Sequence, residues 1–180
     1  MFSSKDSVVI VSAKRSAIGS FCGSLSTLPA HEIGSEVIKD IIKKTAIDAS
    51  EIDEVILGQV LTAGQGQNPA RQAAIKAGVP VEKTALGINQ VCGAGLRAVA
   101  MGMQQLSMGD ANVIIAGGQE SMSLSHHASN MRNATKMGNT EFIDTMIKDG
   151  LWDAFHGYHM GVTAENVAKK FNISREEQDV

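Results

Sequence analysis

Four short apolar runs, separated by segments with helical spacing, constrain the fold of this 180-residue chain more than any other feature. The runs cover residues 8–11, 55–61, 84–91 and 113–116, and the amphipathic or helix-like segments between them lie near 33–42, 69–77 and 95–108. Because the runs are apolar with little alternation, both faces of each predicted strand should be buried. The alternation of strands and helices therefore predicts an α/β fold with a mostly parallel sheet covered by helices.

Composition excludes several classes of protein. Hydrophobic residues make up 43% and charged residues 19% of the chain, which is enough apolar material for a core and excludes a disordered chain. A net charge of −3 does not indicate the positively charged surface that nucleic-acid binding requires. The first residues lack the apolar run of a signal peptide, and no stretch is long enough to span a bilayer. We therefore expect a cytoplasmic protein with no nucleic-acid or membrane partner, in which both cysteines are reduced.

The character of the chain changes after Glu120. Residues 121–140 are rich in Ser, Asn, Met and His without a clear period, and such long excursions usually serve function or assembly. Helices are predicted over 141–148 and 163–171, and a capping box at 174–177 predicts another helix beginning at Arg175. We therefore predict an N-terminal α/β half-domain over 1–120 and a partial second region over 121–180.

Cys92 is the strongest candidate for chemistry. It lies where a predicted strand ends and a predicted helix begins, and Gly93 and Gly95 follow it. A helix N-terminus carries partial positive charge and unpaired N–H groups, which favour a thiolate nucleophile. The glycines remove side chains that would keep a substrate from the sulfur. Free cysteines are also among the most buried residues, so a structural role remains an alternative at this point.

The same residues permit a second interpretation. Residues 93–98 match the dinucleotide fingerprint G-x-G-x-x-A, and Glu120 follows the next strand at about the expected 20 residues. That fingerprint normally follows the first strand of its domain, whereas two predicted strands precede it here. Glu120 also lies beyond Gly117 and Gly118, past the end of its strand. A dinucleotide site is therefore disfavoured.

Residues 89–99 resemble the acylation motif of the thiolases, specifically the acetoacetyl-CoA (biosynthetic) branch. Further blocks resemble that family in the same order, at residues 9–21, 66–72, 116–123 and 149–161. Together the blocks cover essentially the whole chain, so the resemblance is highly specific.

The resemblance implies a layered αβαβα fold of two similar halves, of which this chain supplies the N-terminal half and part of the loop domain. It implies that Cys92 accepts the acyl group as a thioester and that the Cys92 backbone N–H helps to form an oxyanion hole. Leu151, His159 and Met160 would line the site for the CoA pantetheine and substrate. Residues 121–140 match the tetramerisation region, which implies a homo-oligomer, a dimer or a tetramer.

No metal or cofactor is expected. His156 and His159 are three residues apart with only Asp149 and Asp153 shortly before them, which is not a recognisable metal-ligand spacing. Coenzyme A thioesters would be substrates and not cofactors.

The function that the resemblance implies is the interconversion of two acetyl-CoA with acetoacetyl-CoA plus CoA, in fatty-acid or ketone-body metabolism. The family's Asn-Glu block, its Gly-His-Pro block and its second catalytic cysteine belong to the C-terminal half, and none of them is found in this chain. The alternative is a non-catalytic thiolase fragment that acts only as an interaction or assembly module.

Overall fold

The computed structural model describes residues 7–133 and 135–180. The described residues form two compact units, which divide between Ser125 and His126 and are described separately. The first unit contains strands β1 (Glu54–Gly58), β2 (Thr84–Ile88) and β3 (Ile114–Gly118), and helices α1 (Ala30–Thr45), α2 (Pro69–Lys76) and α3 (Ala94–Met108). The predicted division into domains at 1–120 and 121–180 stays a prediction, because it refers to the domains of a complete fold.

The three strands form one parallel sheet in the order β2-β1-β3. Glu54 of β1 is in register with Thr84 and Ile114, so the three strands begin at the same edge of the sheet. Their carboxyl ends therefore also lie together, and the turn into α3 begins from one of them. The predicted α/β fold with a parallel sheet is confirmed.

Helices cover both faces of the sheet. Val55 and Leu57 of β1 pack with Ile38 of α1 and Ala73 of α2 in one buried cluster. Side chains alternate along a strand, so Ile56 faces the opposite side, where α3 contacts β1 and β3. Burying a side chain such as Ile38 or Ile56 contributes about 1.5–3 kcal/mol to the free energy of unfolding.

The three helices of this unit lie where the sequence pattern predicts them. α2 begins with the side-chain Oδ1 of Asn68 accepting the backbone N–H of Arg71 at 3.1 Å, and Pro69 occupies its first turn. α3 ends at Gly109, whose φ of +79° stops the helix. Local capping signals and apolar spacing therefore determine these helices well.

The predicted buried strand over residues 8–11 is wrong. These residues form no strand, and Ile10 is 78% and Val11 71% exposed. A β-branched run favours an extended backbone, but a strand also needs a neighbour that supplies hydrogen bonds and covers its faces. Among the described residues, β1 already pairs with β2 and β3 on its two sides.

β1 is also shorter than the predicted run of 55–61. It ends at Gly58, and the backbone N–H of Val60 donates to the side chain of Glu120 at 2.8 Å. A side-chain carboxylate therefore replaces a neighbouring strand as the partner of this segment.

The second unit begins with a short antiparallel pair, β4 (His127–Ala128) and β5 (Ile143–Asp144). The predicted helix over 141–148 is confirmed only in its last residues. Residues 143 and 144 pair with β4, and a π-helical segment, Met146–Leu151, follows them. Helix α4 (Met160–Phe171) begins before the predicted residue 163.

The chain ends with helix α5 (Arg175–Asp179), where the predicted capping box is confirmed. The Ser174 N–H donates to Glu177 at 2.7 Å, and the Glu177 N–H donates to the Ser174 hydroxyl at 3.2 Å. None of the helices described in either unit is long and apolar enough to cross a membrane.

Asp53 ties together the amino-terminal edge of the sheet. Its carboxylate accepts the backbone N–H groups of Asn112 at 2.7 Å and Val113 at 3.2 Å, and it lies 3.4 Å from the Lys83 ammonium. The hydrogen bonds from Asn112 and Val113 and the nearby Lys83 charge hold the pKa of Asp53 below its usual range. One carboxylate thereby links the starts of the three strands.

We predict that Asp53→Asn lowers the free energy of unfolding by about 1 kcal/mol at pH 7, because an amide oxygen replaces a charged acceptor. The folded-state pKa is lowered, so the stabilisation is present above the unfolded-state pKa and is lost as the pH falls through the folded value. Urea unfolding between pH 7 and pH 3 should show the difference between the two proteins shrinking toward low pH.

Asp110→Asn is the matched control, because its side chain makes no hydrogen bond with the described part of the chain. Equal stability of the Asp53→Asn variant and the unmodified chain at pH 7 contradicts the prediction. A difference that stays constant as the pH falls contradicts it as well.

Candidate active site

Cys92 lies in the tight turn that joins β2 to α3. The Asn89 side chain accepts the backbone N–H of Val91 at 2.8 Å, and the Gly93 N–H donates to the Gln90 carbonyl at 3.1 Å. These two hydrogen bonds close the turn around Cys92. Cys92 itself is exposed. Cys92 is therefore not buried in this structure, and its catalytic role stays a prediction.

The backbone at Val91 is held in an unfavourable conformation. Its φ is +48°, and a β-branched residue rarely adopts the left-handed region because its side chain crowds the backbone. Such a conformation costs on the order of 1–3 kcal/mol and persists only where its surroundings impose it. Here the Asn89 hydrogen bond helps to impose it, and the chain changes direction sharply just before Cys92.

Two kinds of donor lie in the turn that carries Cys92. The Cys92 backbone N–H takes part in none of the hydrogen bonds found within the described residues. No side chain caps the N-terminus of α3, which follows directly after Gly93. This end of the helix carries partial positive charge. The turn can therefore hold a nucleophilic sulfur beside a donor for a developing oxyanion.

Glycines at the ends of two strands let α3 approach the sheet closely. A Cβ atom on Gly58 would lie 2.5 Å from the Ala94 carbonyl carbon and 2.7 Å from the Gly95 nitrogen. A Cβ atom on Gly118 would lie 3.2 Å from the Gly95 Cα. Sequence analysis missed these two residues, although each is a glycine at the end of an apolar run. They position the first turn of α3 and therefore the turn that carries Cys92.

Glu120 does not have the role that a dinucleotide site would require. Its half-buried carboxylate accepts the backbone N–H of Val60 at 2.8 Å and that of Leu61 at 3.4 Å. Burial raises the pKa of Glu120, against the opposing effect of these hydrogen bonds. In a dinucleotide site this carboxylate would bind a ribose hydroxyl, whereas here it binds the backbone of its own chain.

The three residues predicted to contact CoA lie together in the second unit. Trp152 and His159 form an antiparallel bridge, which brings the backbone of Leu151 next to that of Met160. The Asp153 N–H donates to the Tyr158 carbonyl at 2.8 Å and closes the segment between them. Leu151 and Met160 are partly buried and His159 is exposed. Their role toward a ligand stays a prediction.

His159 also begins helix α4. Its ring Nδ1 accepts the backbone N–H of Gly161 at 3.0 Å. The sequence pattern predicts a helix start at residue 163 and carries no clear signal for this cap.

Asp153 and His156 form a turn. The Asp153 carboxylate accepts the N–H groups of His156 and Phe155 at 2.8 Å each. These backbone donors, that of His156 first, lower the pKa of Asp153. Within residues 7–133 and 135–180 no group of three or more His, Cys, Asp or Glu side chains could hold a metal ion.

Known proteins similar to this chain point to one family. A family model described as "Thiolase, N-terminal domain" matches residues 8–180. An acetyl-CoA acetyltransferase of Rhizobium meliloti is 62% identical over 176 residues, which cover 98% of this chain and 45% of that protein. One of Pseudomonas aeruginosa is 58% identical over 173 residues, covering 96% of this chain and 44% of that protein.

A mammalian relative matches over a similar extent. The "Acetyl-CoA acetyltransferase, cytosolic" of Mus musculus is 51% identical over 179 residues, covering 99% of this chain and 45% of that protein. The chain therefore spans a little under half the length of the curated relatives it matches.

We predict that Gly58→Ala disturbs the Cys92 turn, because the new methyl group would collide with the backbone of Ala94 and Gly95. Such overpacking should lower the free energy of unfolding by about 1–3 kcal/mol. It should also change the rate at which iodoacetamide alkylates Cys92, measured by peptide mapping.

Gly117→Ala is the matched control, because a Cβ atom there meets nothing within 4 Å. That variant should keep both the stability and the alkylation rate of the unmodified chain. If Gly58→Ala behaves like Gly117→Ala, the close approach does not position the turn.

Proposed function

The chain belongs to the thiolase family, and from that premise we propose that it carries the acyl-accepting nucleophile of an acetyl-CoA acetyltransferase. The reaction joins two acetyl-CoA into acetoacetyl-CoA and CoA, or runs in reverse as thiolysis. The observation that carries this proposal is the exposed Cys92 in a tight turn at the N-terminus of α3. The names of the relatives, all acetyl-CoA acetyltransferases, support the reaction class.

In the first step the Cys92 thiolate attacks the thioester carbonyl carbon of acetyl-CoA. The bond between that carbon and the CoA sulfur breaks, CoA leaves and takes up a proton, and the acetyl group remains on Cys92 as a thioester. We assign the Cys92 backbone N–H as a donor to the oxyanion that forms between these events. In enzymes, removal of a single oxyanion donor of this kind raises the activation free energy by about 2.7–4 kcal/mol.

In the second step a carbanion formed at the α carbon of another acetyl-CoA attacks the acetyl thioester. A carbon–carbon bond forms, the bond to the Cys92 sulfur breaks, and acetoacetyl-CoA leaves with the thiolate restored. Covalent catalysis thereby divides one difficult condensation into two steps. Proton transfer from the α carbon needs a further base.

Leu151, His159 and Met160 are proposed to contact the pantetheine arm and the acyl group. The bridge between Trp152 and His159 supports this by bringing the backbone of Leu151 next to that of Met160. Half-buried Leu and Met side chains suit a flexible, mostly apolar chain. We also propose a homo-oligomer, with residues 121–140 as the assembly segment, and a cytoplasmic location like that named for the mouse relative.

A second candidate function is that of a non-catalytic interaction module. It is favoured by the exposed apolar face of α3, where Leu96 is 79% and Met103 51% exposed. Exposed patches of this kind mark interfaces. The two candidates differ in whether Cys92 becomes acylated when the rest of the fold is supplied.

We predict that labelled acetyl-CoA acylates Cys92 when the chain is combined with the remaining residues of the Rhizobium meliloti relative. Peptide mapping after acid quenching should find the label on Cys92 and not on Cys22. Cys22 is a fair internal control, because both cysteines are free and exposed. Label on Cys22 with Cys92 unmodified would sink the assignment, and Cys92→Ala should abolish labelling.

We predict that the 180 residues alone show no thiolysis of acetoacetyl-CoA. Acylation and condensation both need proton-transferring groups. None of the five histidines lies in a block that resembles the family's activating histidine; they are His31, His126, His127, His156 and His159. The second catalytic cysteine of the family is also missing from this chain.

The same chain alone should bind a hydrophobic dye and self-associate, because the outer face of α3 is apolar and exposed. Light scattering and dye fluorescence measure this, and Leu96→Lys should reduce both signals. A monomer that binds no dye and turns over acetoacetyl-CoA contradicts both expectations.

A further inference from the structure

We propose that Asn89 is a positioning residue for acyl transfer. By holding Val91 in the left-handed conformation, it directs the backbone N–H of Cys92 away from α3 and toward the thioester oxygen of the substrate. The identity of that substrate rests on the proposed function. The geometry of the turn rests on the structure of the first unit alone.

The peptide group that joins Gln90 to Val91 is fixed at both of its polar ends. Its N–H, on Val91, donates to the side-chain oxygen of Asn89 at 2.8 Å. Its carbonyl, on Gln90, accepts the Gly93 N–H at 3.1 Å. Because a peptide group is planar, these two hydrogen bonds determine its orientation.

The next peptide group, which joins Val91 to Cys92, is fixed at its carbonyl end. The Val91 carbonyl accepts the Ala94 N–H at 3.0 Å. The peptide is trans, so its N–H points in the opposite direction to its carbonyl. The Cys92 N–H therefore points away from Ala94 and the first turn of α3, and no hydrogen bond within the described residues uses it.

The φ and ψ angles of Val91 relate these two peptide groups. Its φ of +48° is one that a β-branched side chain disfavours, so hydrogen bonds must hold it there. Of the three hydrogen bonds in the turn, only the one to Asn89 uses a side chain. Without that acceptor the Val91 N–H loses its partner, and a return of Val91 to negative φ turns the Cys92 N–H.

The direction of the Cys92 N–H matters for one kind of reaction at this sulfur. A donor to an oxyanion acts on the transition state of acylation and much less on the bound substrate. Its loss should therefore lower the rate constant of acylation and leave the half-saturating concentration of acetyl-CoA nearly unchanged. Alkylation of the same sulfur by iodoacetamide forms no oxyanion and should not depend on this N–H.

Three substitutions and a control separate positioning from a general disturbance of the turn. Asn89→Ala removes the acceptor, and Asn89→Ser keeps a weaker, uncharged one for the N–H two residues on. The double variant Asn89→Ala/Val91→Gly lacks the acceptor but adopts positive φ without strain, because glycine has no Cβ atom. Asn112→Ala is the matched control, since the Asn112 side chain makes no hydrogen bond with the described part of the chain.

The first measurement uses the completed protein, which is this chain joined to the remaining residues of the Rhizobium meliloti relative. Rapid quenching with labelled acetyl-CoA gives the rate constant for acylation of Cys92. Asn89→Ala should lower it by about 10- to 100-fold, somewhat less than the 10²–10³-fold that follows complete loss of an oxyanion donor. Asn89→Ser should lie between Asn89→Ala and the unmodified protein, and the double variant should recover most of the rate.

Alkylation by iodoacetamide should stay nearly unchanged in all of these variants, and Asn112→Ala should match the unmodified protein in both reactions. An unchanged acylation rate in Asn89→Ala overturns the proposal. Equal losses in acylation and alkylation overturn it too, because they indicate a disturbed turn. So does a double variant that acylates no faster than Asn89→Ala.

The second measurement observes the backbone directly. Crystal structures of the completed protein should show positive φ at residue 91 in the unmodified protein and in the double variant. In Asn89→Ala the φ of Val91 should be negative and the Cys92 N–H should point in a different direction. A Val91 that keeps positive φ in Asn89→Ala contradicts the role given to Asn89.

The two measurements keep this proposal distinguishable from the proposed function. If the completed protein with native Asn89 is not acylated at Cys92, the proposed function fails and the role of Asn89 in acyl transfer fails with it. The φ angle of Val91 in Asn89→Ala would still decide whether Asn89 holds the turn.

Discussion

The close backbone approach between α3 and the ends of β1 and β3 is the constraint on which the candidate site depends. Gly58 and Gly118 leave no side chain between the sheet and the first turn of the helix. The helix N-terminus therefore sits directly on the carboxyl edge of the sheet, and the turn that carries Cys92 has little room to move. The left-handed backbone of Val91 lies in this turn, where the Asn89 side chain accepts the Val91 N–H.

Carboxylates hold the two ends of the same sheet. Asp53 links the starts of the strands, and Glu120 binds the backbone that follows β1. The environments differ, since backbone hydrogen bonds lower the pKa of Asp53 whereas burial raises that of Glu120. Both side chains satisfy backbone N–H groups that lie outside the strand ladder. Asp53 and Glu120 therefore have structural roles in this unit.

Two segments of the first unit expose apolar surface. Residues 8–11 are apolar but form no strand, and α3 is apolar on its outer face as well as on the face that contacts the sheet. Both segments have the composition of core elements, and exposed apolar patches of this kind mark interfaces. This agrees with a chain that spans a little under half the length of its relatives.

The sequence alone determined the α/β class, three helices of the first unit, the capping box at Ser174 and the strand-to-helix position of Cys92. Those features follow from local spacing and capping, which neighbouring residues decide among themselves. Tertiary structure decided the rest. The exposure of residues 8–11 depends on which strands are present to pair with them. The roles of Gly58 and Glu120, and the cap that His159 gives to α4, depend on contacts between groups whose geometry no local pattern specifies.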